Sequence, residues 1–311
     1  MIDNIASKNV IRRTIYWFVS VVFVLIVLGY ALLSYFIALG VSKAEREDQE
    51  DHPSNYGLHF EEVSFFSRGD NIELDGWYIV GDDSSVNLIF VHGISSNRTG
   101  DNAMDLASRL VDKGFSVLLF DLRAHGSSGG ERISGGDHER RDVLGAYDFL
   151  VNRGVPSNKI GVLGFSMGAA TSILALAEES SIQALVADSP YANVSDLMAY
   201  EISRKTIIPE SIAPIFIPGA TLCAGLFFDI DISVLDTETV VSKLDYPILV
   251  IHGSDDTRIP VEHGIRVHMA SHSESDLWLL PEVDHVDSFT KHPNKYVQKV
   301  VKYFTNRLMT D

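Results

Sequence analysis

Cysteine and basic residues are the scarce classes in this sequence of 311 residues. The single cysteine, Cys223, excludes an intramolecular disulfide framework and any cysteine-rich metal site. Lysine and arginine total 25 against 42 aspartate and glutamate residues, for a formal net charge of −17. Because so acidic a surface repels phosphates, the composition argues against a nucleic-acid partner. Internal repeats are also lacking, and the length suits one α/β domain of about 250 residues with an appendage.

Charge is completely lacking between residues 14 and 42. Within that interval, residues 15–39 are almost wholly aliphatic or aromatic, and a helix of this length would extend roughly 37 Å, enough to cross a hydrocarbon core of about 30 Å. The run is too long for the apolar core of a cleaved signal peptide, which has about 7–15 residues. We therefore predict a transmembrane helix at 14–42 that acts as a signal anchor. The alternative is a buried helix of a globular domain.

The flanks of this segment predict its orientation. Residues 1–40 have a net charge of +2, from Lys8, Arg12 and Arg13 against Asp3, whereas the rest of the chain carries −19. Since positive charge stays on the cytoplasmic side, we expect residues 1–13 in the cytoplasm, the helix in the bilayer of the cell membrane and the following domain outside. Residues 43–57 are polar and charged, which is typical of a linker that holds a domain away from the membrane.

From residue 58 to residue 311, strand and helix patterns alternate. This order predicts an α/β domain with a mostly parallel eight-stranded sheet that is covered by helices on both faces. The predicted strands are 61–67, 72–79, 86–91, 116–120, 160–163, 183–187, 246–251 and 276–280. Helices are predicted at 101–113, 137–153, 261–272 and 293–308, and a further helix begins after residue 166.

The interval 190–243 interrupts this alternation and is predicted to be a small cap inserted over the carboxyl edge of the sheet. Its four prolines and Glu210 disfavour a second membrane span within the apolar segment 207–228. Two alternatives are open for the apolar side chains of the cap, which either line a substrate pocket or pack on the core of the domain. These side chains are Ile215, Phe216, Leu226, Phe227 and Phe228.

The sequence Gly164-Phe165-Ser166-Met167-Gly168 joins an apolar strand to a helix. A serine hydroxyl is lifted clear of a sheet only if the backbone turns so tightly that side chains two residues away would collide, and the glycines remove those side chains. We expect the strained turn to leave Ser166 exposed as a nucleophile. The helix that follows would present the amide of Met167 to an oxyanion. The alternative is a glycine-rich turn with an incidental serine.

A serine nucleophile requires a base and a third group that orients the base. In this strand–helix order both groups follow the serine in sequence, at the carboxyl ends of later strands. Asp255 and Asp256 follow the strand 246–251, and His285 lies five residues after the strand 276–280. These positions predict a catalytic triad of Ser166, one of the two aspartates and His285.

The other histidines have simpler interpretations. His268 and His272 have the spacing of a zinc pair on a helix, but no third ligand is evident, so no metal site is predicted. His92 follows a strand and is expected to position a loop, whereas His125, in a glycine-rich loop, is expected to be solvated.

Five ordered segments resemble the signature motifs of the α/β-hydrolases, over about residues 55–308. The segments are VHGISSNR at 91–98, LFDLRAHG at 119–126, GFSMG at 164–168, VIHGSDDTRIP at 250–260 and DH at 284–285. Residues 163–170 and 187–191 are most similar to a bacterial membrane-anchored, serine-esterase-like branch. That branch is related to the dienelactone-hydrolase and prolyl-oligopeptidase-like hydrolases.

The resemblance implies a role for each residue that matches a motif. The nucleophile falls on Ser166, the base on His285, and the acid on the second of the two aspartates, Asp256. The two oxyanion amides fall on Ile94 and Met167. The resemblance further implies hydrolysis of a small-molecule acyl ester without a metal or an organic cofactor. A thioesterase, a short-peptide serine peptidase and a non-catalytic binding or scaffold protein on the same fold remain open as alternatives.

Overall fold

The computed structural model describes residues 2–81 and 86–309, with side chains described from Ile11 onward. The chain forms two compact units. The first, here termed the helical unit, contains residues 1–41 and 198–229. The second, the sheet unit, contains residues 42–197 and 230–311.

The sheet unit is built on eight strands, which are β1 (Phe60–Phe66), β2 (Glu73–Ile79), β3 (Asn87–Val91), β4 (Ser116–Phe120), β5 (Ile160–Phe165), β6 (Leu185–Asp188), β7 (Leu249–Gly253) and β8 (Asp276–Leu280). Their spatial order is β1-β2-β4-β3-β5-β6-β7-β8. The strand β2 pairs antiparallel with β1 and with β4, and the other pairs are parallel. The predicted mostly parallel, eight-stranded sheet is therefore confirmed.

Several element boundaries differ from the sequence prediction by one to three residues, among them those of β7 and of the helix predicted at 261–272. The strand β7 begins at Leu249 and not at residue 246, since Pro247 has no N–H with which to join the ladder. The helix predicted at 261–272 ends at Ala270, so His272 does not lie on it and the helical pair with His268 is not formed.

Helices cover both faces of the sheet, so its central strands are buried on both sides and read as continuous apolar runs. One apolar core packs α3 (Glu139–Asn152) and α4 (Met167–Leu176) on the sheet. The opposite core packs α2 (Ala103–Val111) and α10 (Pro293–Leu308) on it. Three more helices, α7 (Thr237–Val241), α8 (Val261–Ala270) and α9 (Ser288–Lys291), complete this unit within the described residues. Their arrangement brings the carboxyl ends of β3, β5 and β7 to one edge, where the candidate site lies.

The helical unit contains α1 (Ile2–Val41), α5 (Met198–Lys205) and α6 (Ile217–Phe228). Residues 11–41 of α1 are long and apolar enough to cross a membrane, and the helix meets the criteria of a membrane anchor or a signal sequence. Only 17% of the most apolar 18-residue stretch of this helix is buried, whereas the core helix of a globular domain is mostly buried.

The interval 190–243 does not form one structural piece. Residues 198–229 belong to the helical unit, whereas the residues on either side of them belong to the sheet unit. The rings of Phe227 and Phe228 contact Tyr35 of α1, with ring centres 5.2 and 5.9 Å from that of Tyr35. Neither of the two alternatives for the apolar side chains of the interval includes a partner from the N-terminal helix.

Candidate active site

Ser166 follows β5 in a left-handed conformation, with φ 54° and ψ −121°, which is uncommon for a residue with a side chain. Two glycines permit the turn. A Cβ on Gly164 would lie 2.6 Å from the Cα of Ala169, and a Cβ on Gly168 would overlap the carbonyl oxygen of Val91. Ser166 is only 4% exposed, so the expectation of an exposed serine is wrong. The residue nevertheless lines a cavity.

His285 lies between the other two residues of the predicted triad. Its Nε2 is 2.8 Å from the Oγ of Ser166, and its Nδ1 is 2.7 Å from the Oδ2 of Asp256. Since a carboxylate only accepts, Nδ1 carries the proton and Nε2 accepts the hydroxyl hydrogen of Ser166. Asp255 is exposed and accepts a hydrogen bond from Ser254 instead. The structure thus brings the second aspartate, and not the first, to the histidine.

The Asp256 carboxylate is held by more than His285. Its Oδ1 accepts the backbone N–H groups of Arg258 at 2.9 Å and Ile259 at 2.7 Å, and its Oδ2 lies 3.2 Å from Nε2 of His252. Burial alone would raise the pKa of Asp256, but the hydrogen bonds from His252, His285 and the amide of Ile259 outweigh it and hold that pKa well below its usual value. The carboxylate is therefore ionised at neutral pH.

His252 is a positioning residue that the sequence interpretation missed. Its Nε2 donates to the carbonyl oxygen of Ile259 at 2.9 Å and also faces Asp256. The ring is completely buried at the end of β7. The available signal was its position four residues before Asp256, within the motif at 250–260.

Asp284 joins the loop that carries the acid to the loop that carries the base. One of its oxygens accepts the N–H of Thr257 at 2.9 Å, the hydroxyl of Thr257 at 3.0 Å and the N–H of His285 at 2.7 Å. The bonds from these two amides lower the pKa of Asp284, so it is ionised at neutral pH. The spacing of Asp256 and His285 is thereby fixed through the backbone as well as through their own contact.

Ile94 and Met167 are the predicted oxyanion residues. Ile94 lines the same cavity as Ser166 and His285, and Met167 is the first residue of α4. Among the residues that the structure describes, none accepts a hydrogen bond from the backbone N–H of Ile94 or Met167. Two donors without a protein acceptor beside a serine suit a developing oxyanion.

His92 holds the loop that carries Ile94. Its Nε2 accepts the N–H of Leu122 at 2.9 Å, so Nδ1 is protonated and donates to the carbonyl oxygen of Gly93 at 2.8 Å. Burial, and then the neighbouring ring of His125, lower the pKa of His92 to about 3. The ring is therefore neutral at pH 7, which this pair of hydrogen bonds requires.

The expectation of a solvated His125 is wrong. The residue is 1% exposed, its Nδ1 donates to the carbonyl oxygen of Arg123 at 2.8 Å, and its ring lies 4.9 Å from that of His92. Burial lowers the pKa of His125. The loop folds back on itself because the N–H of Ala124 donates to the carbonyl oxygen of Gly129 at 2.7 Å, which encloses the ring.

Residues 42–51, here termed the strap, lie across two loops of the site. The Arg46 guanidinium donates to four carbonyl oxygens of the glycine-rich loop. They belong to His125, Gly126, Ser128 and Gly130, at 3.1, 2.7, 2.7 and 2.9 Å. The side-chain amide of Asn97 donates to the carbonyl oxygens of Glu47 and Asp48 at 3.2 and 3.0 Å. The first nine residues of the segment interpreted as a linker, 43–51, thus belong to the sheet unit, and Arg46, Glu47 and Asp48 bond them to its loops.

A cavity of about 250 Å³ opens at the triad and is lined only by residues of the sheet unit. Three acidic residues of the strap, Glu47, Asp48 and Glu50, line it, and Asp101 adds a fourth. Among the described lining residues, Arg258 is the one arginine or lysine. The cavity is therefore predominantly acidic, which favours neutral or cationic groups near its wall.

Asp188 is a buried acid next to the serine turn. Its carbonyl oxygen accepts the N–H of Ser166 at 2.8 Å, and its carboxylate accepts the hydroxyls of Tyr296 at 2.9 Å and Ser189 at 3.1 Å. Burial raises the pKa of Asp188 to about 6, against the opposing effect of the Tyr296 hydrogen bond. The sequence interpretation places this residue directly after the predicted strand 183–187, within the segment 187–191 that carries the resemblance, and assigns it no role of its own.

Comparisons with known proteins agree with this geometry. Residues 83–218 match a family model described as serine aminopeptidase, S33. The uncharacterized protein YqkD of Bacillus subtilis is 28% identical over 240 residues, which cover 75% of this chain and 76% of YqkD. The lysophosphatidylserine lipase ABHD12 of Danio rerio is 26% identical, over 81% of this chain and 66% of its own length. The esterase Pf2001 of Pyrococcus furiosus superposes with a TM-score of 0.70 at 27% identity, over 86% of this chain and 100% of the esterase chain.

Proposed function

Because this chain belongs to the α/β-hydrolase superfamily and is a hydrolase, we propose that it cleaves carboxylic esters through a covalent acyl-enzyme. The observation that carries the proposal is the position of His285. It lies within hydrogen-bond distance of both Ser166 Oγ and Asp256 Oδ2, as a base that activates a serine must. The Pyrococcus furiosus relative is named an esterase, which supports the choice of bond.

In the first half of the reaction, His285 takes the proton of Ser166 at Nε2 while Oγ attacks the carbonyl carbon of the ester. The N–H groups of Ile94 and Met167 stabilise the negative charge on the carbonyl oxygen. The protonated His285 then donates its Nε2 proton to the leaving alkoxide, and the acyl group remains on Ser166. Asp256, whose pKa is lowered, stays ionised and stabilises the imidazolium.

In the second half, water takes the place of the alcohol. His285 removes a proton from the water, the hydroxide attacks the acyl carbon, and the same amides hold the oxyanion. The tetrahedral intermediate collapses, Oγ of Ser166 regains the proton from Nε2, and the carboxylic acid leaves. Every step uses side chains and amides of this chain, with no metal or organic cofactor.

The first test is the serine itself. Ser166→Ala removes the attacking oxygen, so hydrolysis of p-nitrophenyl acetate and butyrate by the purified chain should fall to the background rate. A fluorophosphonate probe should label the unaltered chain and not the variant, because only an activated serine reacts. Labelling that is absent from both would favour a binding or scaffold protein, and activity that survives in Ser166→Ala would refute the nucleophile assignment.

A second candidate, hydrolysis of short peptides from a free amino end, is favoured by two observations. The family model that matches is described as an aminopeptidase, and the strap places carboxylates where they would attract an ammonium group. Matched substrates decide between the candidates. A peptidase would cleave aminoacyl p-nitroanilides faster than p-nitrophenyl esters of the same acyl size. An esterase would cleave the p-nitroanilides far more slowly than the esters. A panel of acyl thioesters tests the thioesterase alternative in the same assay.

We also propose that α1 anchors the protein in the cell membrane, with residues 1–13 in the cytoplasm and the sheet unit outside. The support is the length and apolarity of α1 and the basic residues Lys8, Arg12 and Arg13 before its apolar run. Protease added to spheroplasts should digest the sheet unit while a cytoplasmic marker protein stays intact. If the sheet unit is digested only after the spheroplasts are lysed, it lies in the cytoplasm and the proposed orientation is wrong.

A further inference from the structure

The two faces of the α6 helix differ in burial and in the size of their side chains. Its small residues Ala220, Cys223 and Ala224 are buried, with at most 8% exposure, whereas Leu222 and Leu226 are 62% and 70% exposed. No charged residue occurs in the helix, and its most exposed large side chains are apolar. A surface helix in contact with water carries polar residues on its outward face, whereas α6 exposes large apolar side chains there.

The inward face of α6 packs closely on α1. A Cβ on Gly219 would overlap the Oγ of Ser34, so only glycine allows this approach. The Tyr30 hydroxyl donates to the carbonyl oxygen of Ile215 at 3.0 Å and accepts the N–H of Gly219 at 3.2 Å, and the Tyr30 ring stacks on Phe216. Small residues at a helix contact and polar backbone groups satisfied by a neighbouring helix are features of packing within lipid.

The contacts also give the depth of the insertion along α1. Thr206, at the end of α5, lies beside Gly40, and Phe216, at the start of α6, lies against Tyr30. Ten residues of helix separate Gly40 from Tyr30, a rise of about 15 Å. That is half of a hydrocarbon core of about 30 Å. The insertion therefore runs alongside the half of the apolar span that adjoins Val41.

We propose that residues 198–229 form a second membrane-embedded element, which enters one leaflet beside α1 and presents Leu222 and Leu226 to lipid acyl chains. This inference rests on the proposed membrane anchor. The occupant of the outward face is the bilayer because α6 packs on α1, whose own exposed surface is apolar, with Leu32 and Phe36 at 58% and 55% exposure. The element does not cross the membrane, since the 12 residues of α6 extend only about 18 Å.

The test places a fluorophore on the outward face of the full-length chain. In a Cys223→Ala background, Leu226→Cys is labelled with bimane and the protein is reconstituted into liposomes with brominated acyl chains. Two matched positions serve as controls: Leu25→Cys on α1, 62% exposed, and Lys243→Cys on the exposed surface of the sheet unit. Fluorophosphonate labelling of Ser166 verifies that each variant is folded.

Bimane at position 226 should lose fluorescence in brominated lipid to the same extent as at position 25, while bimane at position 243 stays bright. Quenching at position 25 without quenching at position 226 overturns this inference and leaves the anchor in place. If neither position is quenched, the anchor and the inference both fail. An unquenched position 226 that is also shielded from aqueous iodide would show that protein, and not lipid, covers the face.

Discussion

Asparagine at position 256 tests the roles assigned to the triad more sharply than removal of the serine does. Asp256→Asn keeps the shape of the side chain but turns one oxygen into an NH2 group. The N–H groups of Arg258 and Ile259 point at Oδ1, at 2.9 and 2.7 Å, and need an acceptor there. The asparagine oxygen must therefore occupy that position, which turns the NH2 group toward Nδ1 of His285.

An NH2 group donates, so Nδ1 would have to accept, and the imidazole proton would move to Nε2. A protonated Nε2 has no lone pair with which to take the hydroxyl proton of Ser166. The variant would also lack the carboxylate that stabilises the imidazolium. Loss of this function in a triad of the same design lowers kcat by about 10⁴, which corresponds to about 5 kcal/mol of transition-state stabilisation.

The assay is the steady-state hydrolysis of a p-nitrophenyl ester, with kcat and KM determined separately. The KM of Asp256→Asn should change little, because the cavity wall is untouched and the loss falls on kcat. Asp255→Asn is the matched control and should keep the unaltered rate, since its side chain is exposed and bonded to Ser254. Equal losses in the two variants, or a kcat for Asp256→Asn within about tenfold of the unaltered chain, would refute the assignment of the acid.

Three further perturbations test the surroundings of the triad. Gly168→Ala places a Cβ on a backbone carbonyl oxygen of β3 and should destabilise the sheet unit by at least about 3 kcal/mol in thermal or urea unfolding. The control Gly29→Ala, with no atom within 4 Å of the new Cβ, should be neutral. Equal melting temperatures of the two variants would contradict the packing argument. Arg46→Ala removes the donor to four carbonyl oxygens and should raise KM and speed proteolysis within residues 42–51. Arg46→Lys should restore part of both properties. Proteolysis of Arg46→Ala at the rate of the unaltered chain would show that the strap does not depend on Arg46. Asp188 has a raised pKa of about 6 against about 3.9 in the unfolded chain, so its contribution to stability is present below about pH 4 and is lost as pH rises through 6, a difference of up to about 3 kcal/mol. Asp188→Asn should remove that loss. A slope of the unfolding free energy between pH 4 and 7 that is the same in the variant and the unaltered chain would contradict the role assigned to the buried acid.

The sheet and the order of the site residues could be predicted because both are recorded locally. Short apolar runs bounded by turn residues mark strands, as in the buried strand β4 and the edge strand β8, whose predicted bounds match the structure. Loops at the carboxyl ends of such strands converge on one edge. His285 and Ser166, 119 positions apart, could therefore be paired from strand order alone.

The contacts of the strap and of α6 could not be predicted, because each depends on a partner far away in sequence. Arg46 lies in a run of charged residues that has the composition of a solvated linker, and its acceptors are backbone carbonyl oxygens about 80 positions away. α6 is apolar on all sides, so periodicity does not tell which face is covered or by what. The burial of Ser166 likewise depends on loops that only the folded chain brings together.

The strap has a practical consequence for the production of a soluble form of this protein. A version shortened to begin at residue 58, where the first strand pattern starts, would lose Arg46 and the acidic wall formed by Glu47, Asp48 and Glu50. It would retain the triad and yet hydrolyse a different range of substrates. A version that begins at Ser42 keeps the strap, and side-by-side substrate profiles of the two shortened forms would separate the selectivity of the strap from the reactivity of the serine.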